Sequence, residues 1–395
     1  MKQLHAAEKP LRVAFVDYVL EPEKPGRSGL SDIVWDMAGE LANQGHEAHV
    51  IASYHTTSYP DPRVVVHNFP TPPIGYRNIL GHLWILRRAA RIATELRPDI
   101  IHAPEYVSTA VFAALGVPAP LVLTVPGNVF HRIQHGHSYE WHYLEVLKWA
   151  ARISARRCAR VISVSQEMKR WWERTGSSPE RTPWIPYGVN QHRFRQVPDA
   201  RERLGIAQNS VLLLYVGRFA KEKGLFDLLE ACSSIKNLLK PGGVQIVLVG
   251  KGPQADEMQR RIDAENLNQV VQIRPWIAQD ELSTWYSAAD ALLLPSHSEA
   301  FSRTILEAMI CGTLVIGSRI TGTEDHIQDG VNGLLFPPGD TQALADILAD
   351  VVRCPDRLRD MRMASLAYAH EHLTLDHIMR RIIHEVYMPI VGSNA

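Results

Sequence analysis

Short aliphatic and β-branched runs alternate with amphipathic stretches along the whole chain. In the first half the runs lie at 11–18, 46–53, 63–69, 99–104, 120–125 and 160–165. Each is nearly continuously apolar, as strands are when helices cover both faces of a parallel sheet. Between the first two runs, Ile33, Val34, Met37, Ala38 and Leu41 fall on one helical face, and Gly45 follows where a helix would end. The second half repeats the plan, with runs at 210–217, 244–250, 270–276, 291–296 and 313–318. The pattern predicts an α/β fold of two doubly wound units in tandem. The break falls within 185–200, where two prolines, a glycine and polar residues interrupt the alternation. Residues 373–390 predict a last helix, capped by Thr374.

Composition narrows the function. A chain of 395 residues, 46% hydrophobic and 21% charged, has the apolar content for two sizeable cores and is not of disordered type. Lys+Arg and Asp+Glu are both 42, which excludes a nucleic-acid binder held by bulk charge. Residues 1–190 nevertheless carry 21 basic and 17 acidic side chains, so the first half is the basic one. The cysteines, Cys158, Cys232, Cys311 and Cys354, form no C-x-x-C pair and read as reduced thiols of a cytoplasmic chain. The polar N-terminus shows no secretory leader, and the strongest apolar runs are too short to span a bilayer.

Candidate chemistry collects at strand ends. The first strand is followed by a loop with Gly26 and Gly29 rather than G-x-G-x-x-G, so a dinucleotide fingerprint is absent. Such a loop serves either as an ordinary turn or as an anion site at a helix start. In the second half, Arg218 follows the run ending in Gly217, and Lys223-Gly224 opens the next helix. Two cations at a strand's carboxyl end suit a diphosphate. Glu299 lies in the loop after the run at 291–296, and Glu307 falls about two turns into the helix that follows Phe301-Ser302. A carboxylate there can accept hydrogen bonds from vicinal ribose hydroxyls. Thr321-Gly322-Thr323 leads into Glu324-Asp325, and Asp329-Gly330 and Asn332-Gly333 read as turns.

Taken in order, these segments resemble the retaining glycosyltransferases of family 4, which have the GT-B fold. The stretches 159–172, 185–194, 250–253 and 280–296 carry further landmarks of that family. The resemblance implies two facing Rossmann-like domains with an interdomain cleft: an acceptor-binding domain at 1–188, a nucleotide-sugar-binding domain at 189–373, and a helix from about 374 to 395 crossing back. It implies that Arg218 and Lys223 bind the donor diphosphate, Glu307 the ribose, and that Glu299 lies beside the donor sugar. It places Phe301, Ser302 and Arg303 at phosphate or sugar, Pro275 and Trp276 near the base, and Gly29 under the diphosphate. The sequence departs from the family at Pro126, where a histidine is usual, which leaves Asn128 and His131 as acceptor-side candidates. The motifs Glu299-Ala300-Phe301-Ser302, Thr321-Gly322 and Tyr187-Gly188-Val189-Asn190 also depart.

The expected activity is a retaining, metal-independent transfer of a hexose from a nucleotide-diphosphate sugar. The acceptor would be a glycan, a lipid-linked sugar or a small hydroxyl compound. Fixed cations can stabilise a departing diphosphate without a metal, so no cofactor or metal is expected. Two alternatives remain: a phosphorylase or epimerase of the same fold, and a non-catalytic protein that binds a glycan or another protein. His131, His135, His137 and His142 read as a loop on the acceptor side rather than a metal cage. Trp149, Trp171 and Trp172 read as packing residues. Residues 79–97 and 141–160 are basic amphipathic segments, which allows peripheral contact with the inner face of a membrane.

Overall fold

The structure is a computed structural model that describes residues 9–17, 29–53, 61–70, 79–125, 141–275, 277–299 and 301–393. The chain divides into two units, Met1–Tyr187 with Ile378–Ala395, and Gly188–His377.

The first unit is built on a parallel six-stranded sheet of order β3-β2-β1-β4-β5-β6. Its strands are β1 (Arg12–Asp17), β2 (Glu47–Ala52), β3 (Val65–Asn68), β4 (Ile100–Ala103), β5 (Leu121–Val125) and β6 (Arg160–Ser163). Helices Ile79–Leu96, Tyr106–Ala114 and Trp141–Arg157 bury Ile85, Ala89, Phe112, Leu147 and Ala151 in a core with Ala14, Val16, Ile101 and Leu123 from one sheet face. Such helices follow from parallel pairing, which needs a crossover between successive strands.

The second unit repeats the design with β7 (Val211–Val216), β8 (Val244–Val249), β9 (Val271–Arg274), β10 (Ala291–Leu294), β11 (Leu314–Ser318) and β12 (Leu334–Phe336). The order is β12-β11-β10-β7-β8-β9. Alternate residues of β7 enter different cores: Val211, Leu213 and Tyr215 join one, Leu212 and Leu214 the other. Both faces are covered, which is why the run contains no polar position. β12 has three residues and follows the turn at Asn332-Gly333, where the sequence pattern shows only a turn.

The linker and the C-terminus meet inside the second unit. Val189 N–H donates to Leu373 C=O, and Leu375 N–H to Val189 C=O, both at 2.8 Å. Thr374 Oγ1 accepts from His377 N–H at 3.3 Å, as a helix cap does. The helix that follows, Leu375–Arg381, continues into a wider π-helical turn at Ile382–Tyr387 and ends as Met388–Gly392, so the segment is not the single regular helix its periodicity suggests. Pro389 lacks an N–H and deprives the Glu385 carbonyl of its ordinary helical donor, at the place where the turn widens. The segment from Ile378 packs on the first unit: Tyr387 OH lies 2.6 Å from His102 Nδ1, and Arg381 Nη2 lies 3.4 Å from the Trp184 carbonyl.

Candidate active site

In the second unit the chain runs from β7 outward to β9, then returns to the other side of β7 at β10. A crevice opens where strand order reverses, at the carboxyl ends of the two strands, and open α/β sheets bind ligands there. Two loops meet at this point.

The first loop follows β7. It is tied to the loop after β8 by Gly217 N–H to the Val249 carbonyl (2.9 Å) and Phe219 N–H to the Lys251 carbonyl (3.0 Å). Tyr215 OH donates to the Arg218 carbonyl at 3.0 Å. Lys221–Lys223 forms one tight turn, closed by Gly224 at φ +62. A side chain there would put Cβ 1.9 Å from the Pro295 carbonyl oxygen, so only glycine lets this loop touch the end of β10.

The second loop follows β10. His297 N–H donates to the Glu222 carbonyl at 2.9 Å, and His297 Nε2 meets the Asp227 carboxylate. These contacts bring the sequence candidates together. Lys223 Nζ bonds Glu299 Oε2, and both side chains are largely buried. Arg218, half exposed, pairs with Glu222. Each candidate cation therefore has a carboxylate partner. Glu222 was not among the sequence candidates, although its i,i+4 spacing from Arg218 was visible.

Glu307 lies on the helix Arg303–Ile310, capped in position but not by side chain at Ser302. It is 8% exposed. Its Oε2 accepts from Tyr286 OH at 3.1 Å, and Arg303 Nε sits 3.8 Å from its Oε1. Burial, with the Glu307 charge beside it, raises the Tyr286 phenol well above its ordinary range, so it stays a donor. Tyr286 falls within the family-like stretch 280–296, but it was not singled out as a site residue. Ser302 Oγ lies 2.9 Å from Thr304 Oγ1. Phe301 packs edge-on against His326, with ring centroids 5.9 Å apart. His326 is fully enclosed, burial lowers its pKa to about 4, and among the described residues neither ring nitrogen has a hydrogen-bond partner.

The remaining candidates are more scattered. Pro275 is exposed just past β9, and the Arg274 guanidinium before it lies 4.7 Å from the centre of the Trp285 ring. Trp276, Ala300, Pro126, Asn128, His131, His135 and His137 lie outside the described residues, as does the His142 side chain. Gly29 opens the helix Gly29–Asn43 in the first unit, where Ser31 Oγ donates to Asp17 Oδ2 at 2.6 Å and joins that helix to the end of β1. Trp172 is buried as expected and Trp171 is partly buried, but Trp149 is 57% exposed and does not pack in the core. It sits on the outer side of its helix, whose inner positions Leu147, Ala150 and Ala151 fill the core.

Two parallel doubly wound units, with cations and carboxylates gathered at the switch point of the second, define a two-domain α/β protein of GT-B type. The description "Glycosyltransferase Family 4" matches residues 27–193, and "Glycosyl transferases group 1" matches residues 196–367. The chain belongs to the family 4 type of glycosyltransferases. It is 27% identical over 386 residues to a D-inositol 3-phosphate glycosyltransferase of Arthrobacter sp. (strain FB24), covering 91% of this chain and 90% of that one. It is 27% identical over 331 residues to an alpha-D-kanosaminyltransferase of Streptomyces kanamyceticus, covering 77% and 84%. In fold it is similar to Anabaena Alr3699/HepE, solved in complex with UDP, with a TM-score of 0.76 and 23% identity over 96% of this chain and 100% of that chain.

Proposed function

We propose that the chain is a retaining, metal-independent hexosyltransferase that uses a nucleotide-diphosphate sugar. The observation carrying this reading is the cluster at the carboxyl ends of β7 and β10, where Arg218, Lys223 and Glu299 share one pair of touching loops and Glu307 sits on the helix that follows. In this reading Arg218 and Lys223 exchange their carboxylate partners for the donor diphosphate. Glu307, held by Tyr286, accepts from the ribose hydroxyls, and Glu299 faces the hexose. Backbone N–H groups of Phe301, Ser302 and Arg303 meet phosphate or sugar, and Pro275 and Trp276 border the base.

The chemistry is then as follows. The bond between the anomeric carbon and the diphosphate oxygen breaks, and its electron pair leaves on the diphosphate. Arg218 and Lys223 stabilise that charge, each fixed donor being worth roughly 3 kcal/mol. The departing oxygen takes the proton of the acceptor hydroxyl while the new bond forms on the same face. The cations carry the electrostatic work that a divalent ion does elsewhere. The acceptor is a glycan, a lipid-linked sugar or a small hydroxyl compound. The relatives named for inositol phosphate and kanosamine transfer, and the UDP complex of the Anabaena protein, support the class of reaction.

The test is a thermal-shift and hydrolysis screen with UDP-, GDP-, ADP- and dTDP-sugars, in EDTA and again with Mg²⁺. Expected is stabilisation by one nucleotide in EDTA, lost in Arg218→Ala and in Glu307→Ala. A shift that needs Mg²⁺ overturns metal independence. No shift with any donor overturns the site, and favours a protein that only binds a glycan or another chain. Release of sugar phosphate from a glycan and inorganic phosphate would instead make it a phosphorylase.

A further inference from the structure

Glu222 stands between Arg218 and Lys223 in the chain and pairs with Arg218, yet the proposed reaction gives it no part beyond letting that cation go. Its turn is held by main-chain contacts. The Glu222 carbonyl accepts from His297 N–H at 2.9 Å, Phe219 N–H reaches the Lys251 carbonyl at 3.0 Å, and Tyr215 OH donates to the Arg218 carbonyl at 3.0 Å. The last contact needs Gly217, where a Cβ would lie 2.7 Å from the Tyr215 hydroxyl. Burial, with the charges of Glu299 and Glu222 nearby, raises the pKa of this phenol, so it remains a donor. Arg218 and Glu222 are thus fixed at their backbones, and their side chains can part by rotation alone.

The two ion pairs of the site differ in their access to water. Lys223 and Glu299 are largely buried, whereas the Arg218 and Glu222 side chains are 52% and 27% exposed. A pair so open to water is weakly held. It is the one more readily given up to a ligand that offers Arg218 two oxygens at the spacing of its fork. The carboxylate stays tethered to the same turn once its cation has swung to the ligand. It is then a negative charge beside an anion, and the repulsion grows with the charge of that anion.

Donor and product differ in that charge. A nucleotide-diphosphate sugar carries one negative charge on each phosphate. When the bond to the anomeric carbon breaks, its electron pair stays on the terminal oxygen, which takes the proton of the acceptor hydroxyl. A terminal phosphate has a second pKa of about 6. Above it that proton passes to water, and the nucleoside diphosphate carries one negative charge more than the donor. A tethered carboxylate therefore opposes the product more than the donor.

We propose that Glu222 sets the balance between donor and product at this site. Its carboxylate competes with the diphosphate for Arg218 and weakens the nucleoside diphosphate more than the nucleotide sugar, which favours product release. The inference rests on the proposed donor site. The test is calorimetric titration of the full chain, as wild type, Glu222→Gln and Arg218→Ala, at about pH 8. The probes are UDP, GDP, ADP and dTDP and their glucose conjugates. Glu222→Gln keeps the side-chain volume and the carbonyl that His297 uses, so the turn is retained. The nucleoside diphosphate that binds wild type is expected to bind Glu222→Gln about three- to tenfold tighter, with a smaller gain for its glucose conjugate. Arg218→Ala is expected to weaken both ligands. Unchanged or weaker nucleoside diphosphate binding by Glu222→Gln, where Arg218→Ala does weaken it, overturns the role of Glu222 and leaves the donor site standing. Equal tightening of both ligands overturns the discrimination between donor and product. Binding unaffected by Arg218→Ala, or no binding of any probe to wild type, overturns the donor site and this inference with it.

Discussion

Arg218 and Lys223 show how much of a residue's role lies in its partners. Both were legible from strand-end position, because loops after parallel strands are local in sequence. Their pairing with Glu222 and Glu299 is a contact, and it fixes where the two cations sit. His326 is the opposite case, a polar ring beside Phe301 with no hydrogen-bond partner among the described residues. Burial keeps it neutral, with its pKa lowered to about 4. Between about pH 6.5 and that value the unfolded chain binds a proton that the native chain does not. Stability therefore falls as pH falls through this window, by roughly 1.4 kcal/mol per pH unit for the fully shifted group. His102, lowered to about 3 by burial, adds a loss of the same sign that continues to lower pH. For His326→Leu we expect a shallower fall of unfolding free energy on acidification, with stability near neutrality kept or raised. Urea unfolding at several pH values measures it, and an unchanged slope would mean that His326 does not titrate in this way.

At the scale of elements, the alternation of apolar runs and amphipathic stretches carried strands and helices well, because burial on both sheet faces makes most strand positions apolar. It failed at two places. β12 has three residues, too few for a period to show beside the turn that precedes it. The C-terminal segment keeps helical periodicity, yet it widens at Ile382–Tyr387, where the missing N–H of Pro389 breaks the regular pattern. That turn carries Tyr387, whose hydroxyl meets His102 Nδ1, while His102 Nε2 lies 2.6 Å from Thr124 Oγ1. The C-terminus is thereby joined to β4 and β5 through one buried imidazole. Tyr387→Phe should leave Nδ1 unpaired and cost about 1–3 kcal/mol. Chemical denaturation with a probe in the first unit would register it, and an unaltered midpoint would show that the hydrogen bond is dispensable.

At the scale of the molecule, zero net charge conceals a directed surface. The helices Ile79–Leu96 and Trp141–Arg157 turn Ile85, Ala89, Leu147 and Ala151 inward to a common core. Their outer positions expose Arg87, Arg88, Arg91, Lys148, Arg152, Arg156 and Arg157, against Glu95 and Glu145. Leu83, Trp84, Val146 and Trp149 are exposed among these cations. Among the described residues no helix is long and apolar enough to cross a membrane. Basic residues with interspersed tryptophans are a composition that can lie on the surface of an anionic bilayer. We expect the protein to float with phosphatidylglycerol vesicles at low salt, to stay behind with purely zwitterionic ones, and to lose binding when Trp149 and Arg152 are both replaced by Ala. Flotation indifferent to lipid charge would refute this surface.

The sequence alone determined the two doubly wound units and the candidate set Arg218, Lys223, Glu299 and Glu307. Strand burial and strand-end loops are written into short stretches of chain, where period and composition can be read. The tertiary structure alone decided that Lys223 meets Glu299, that Tyr286 holds Glu307, and that Tyr387 closes on His102. It also decided that Asp290, just before β10, is shared between Arg201 and Arg362. In each case the partners are far apart in sequence, and nothing local to either names the other. Only the order of the strands and the packing of helices across them bring such groups together.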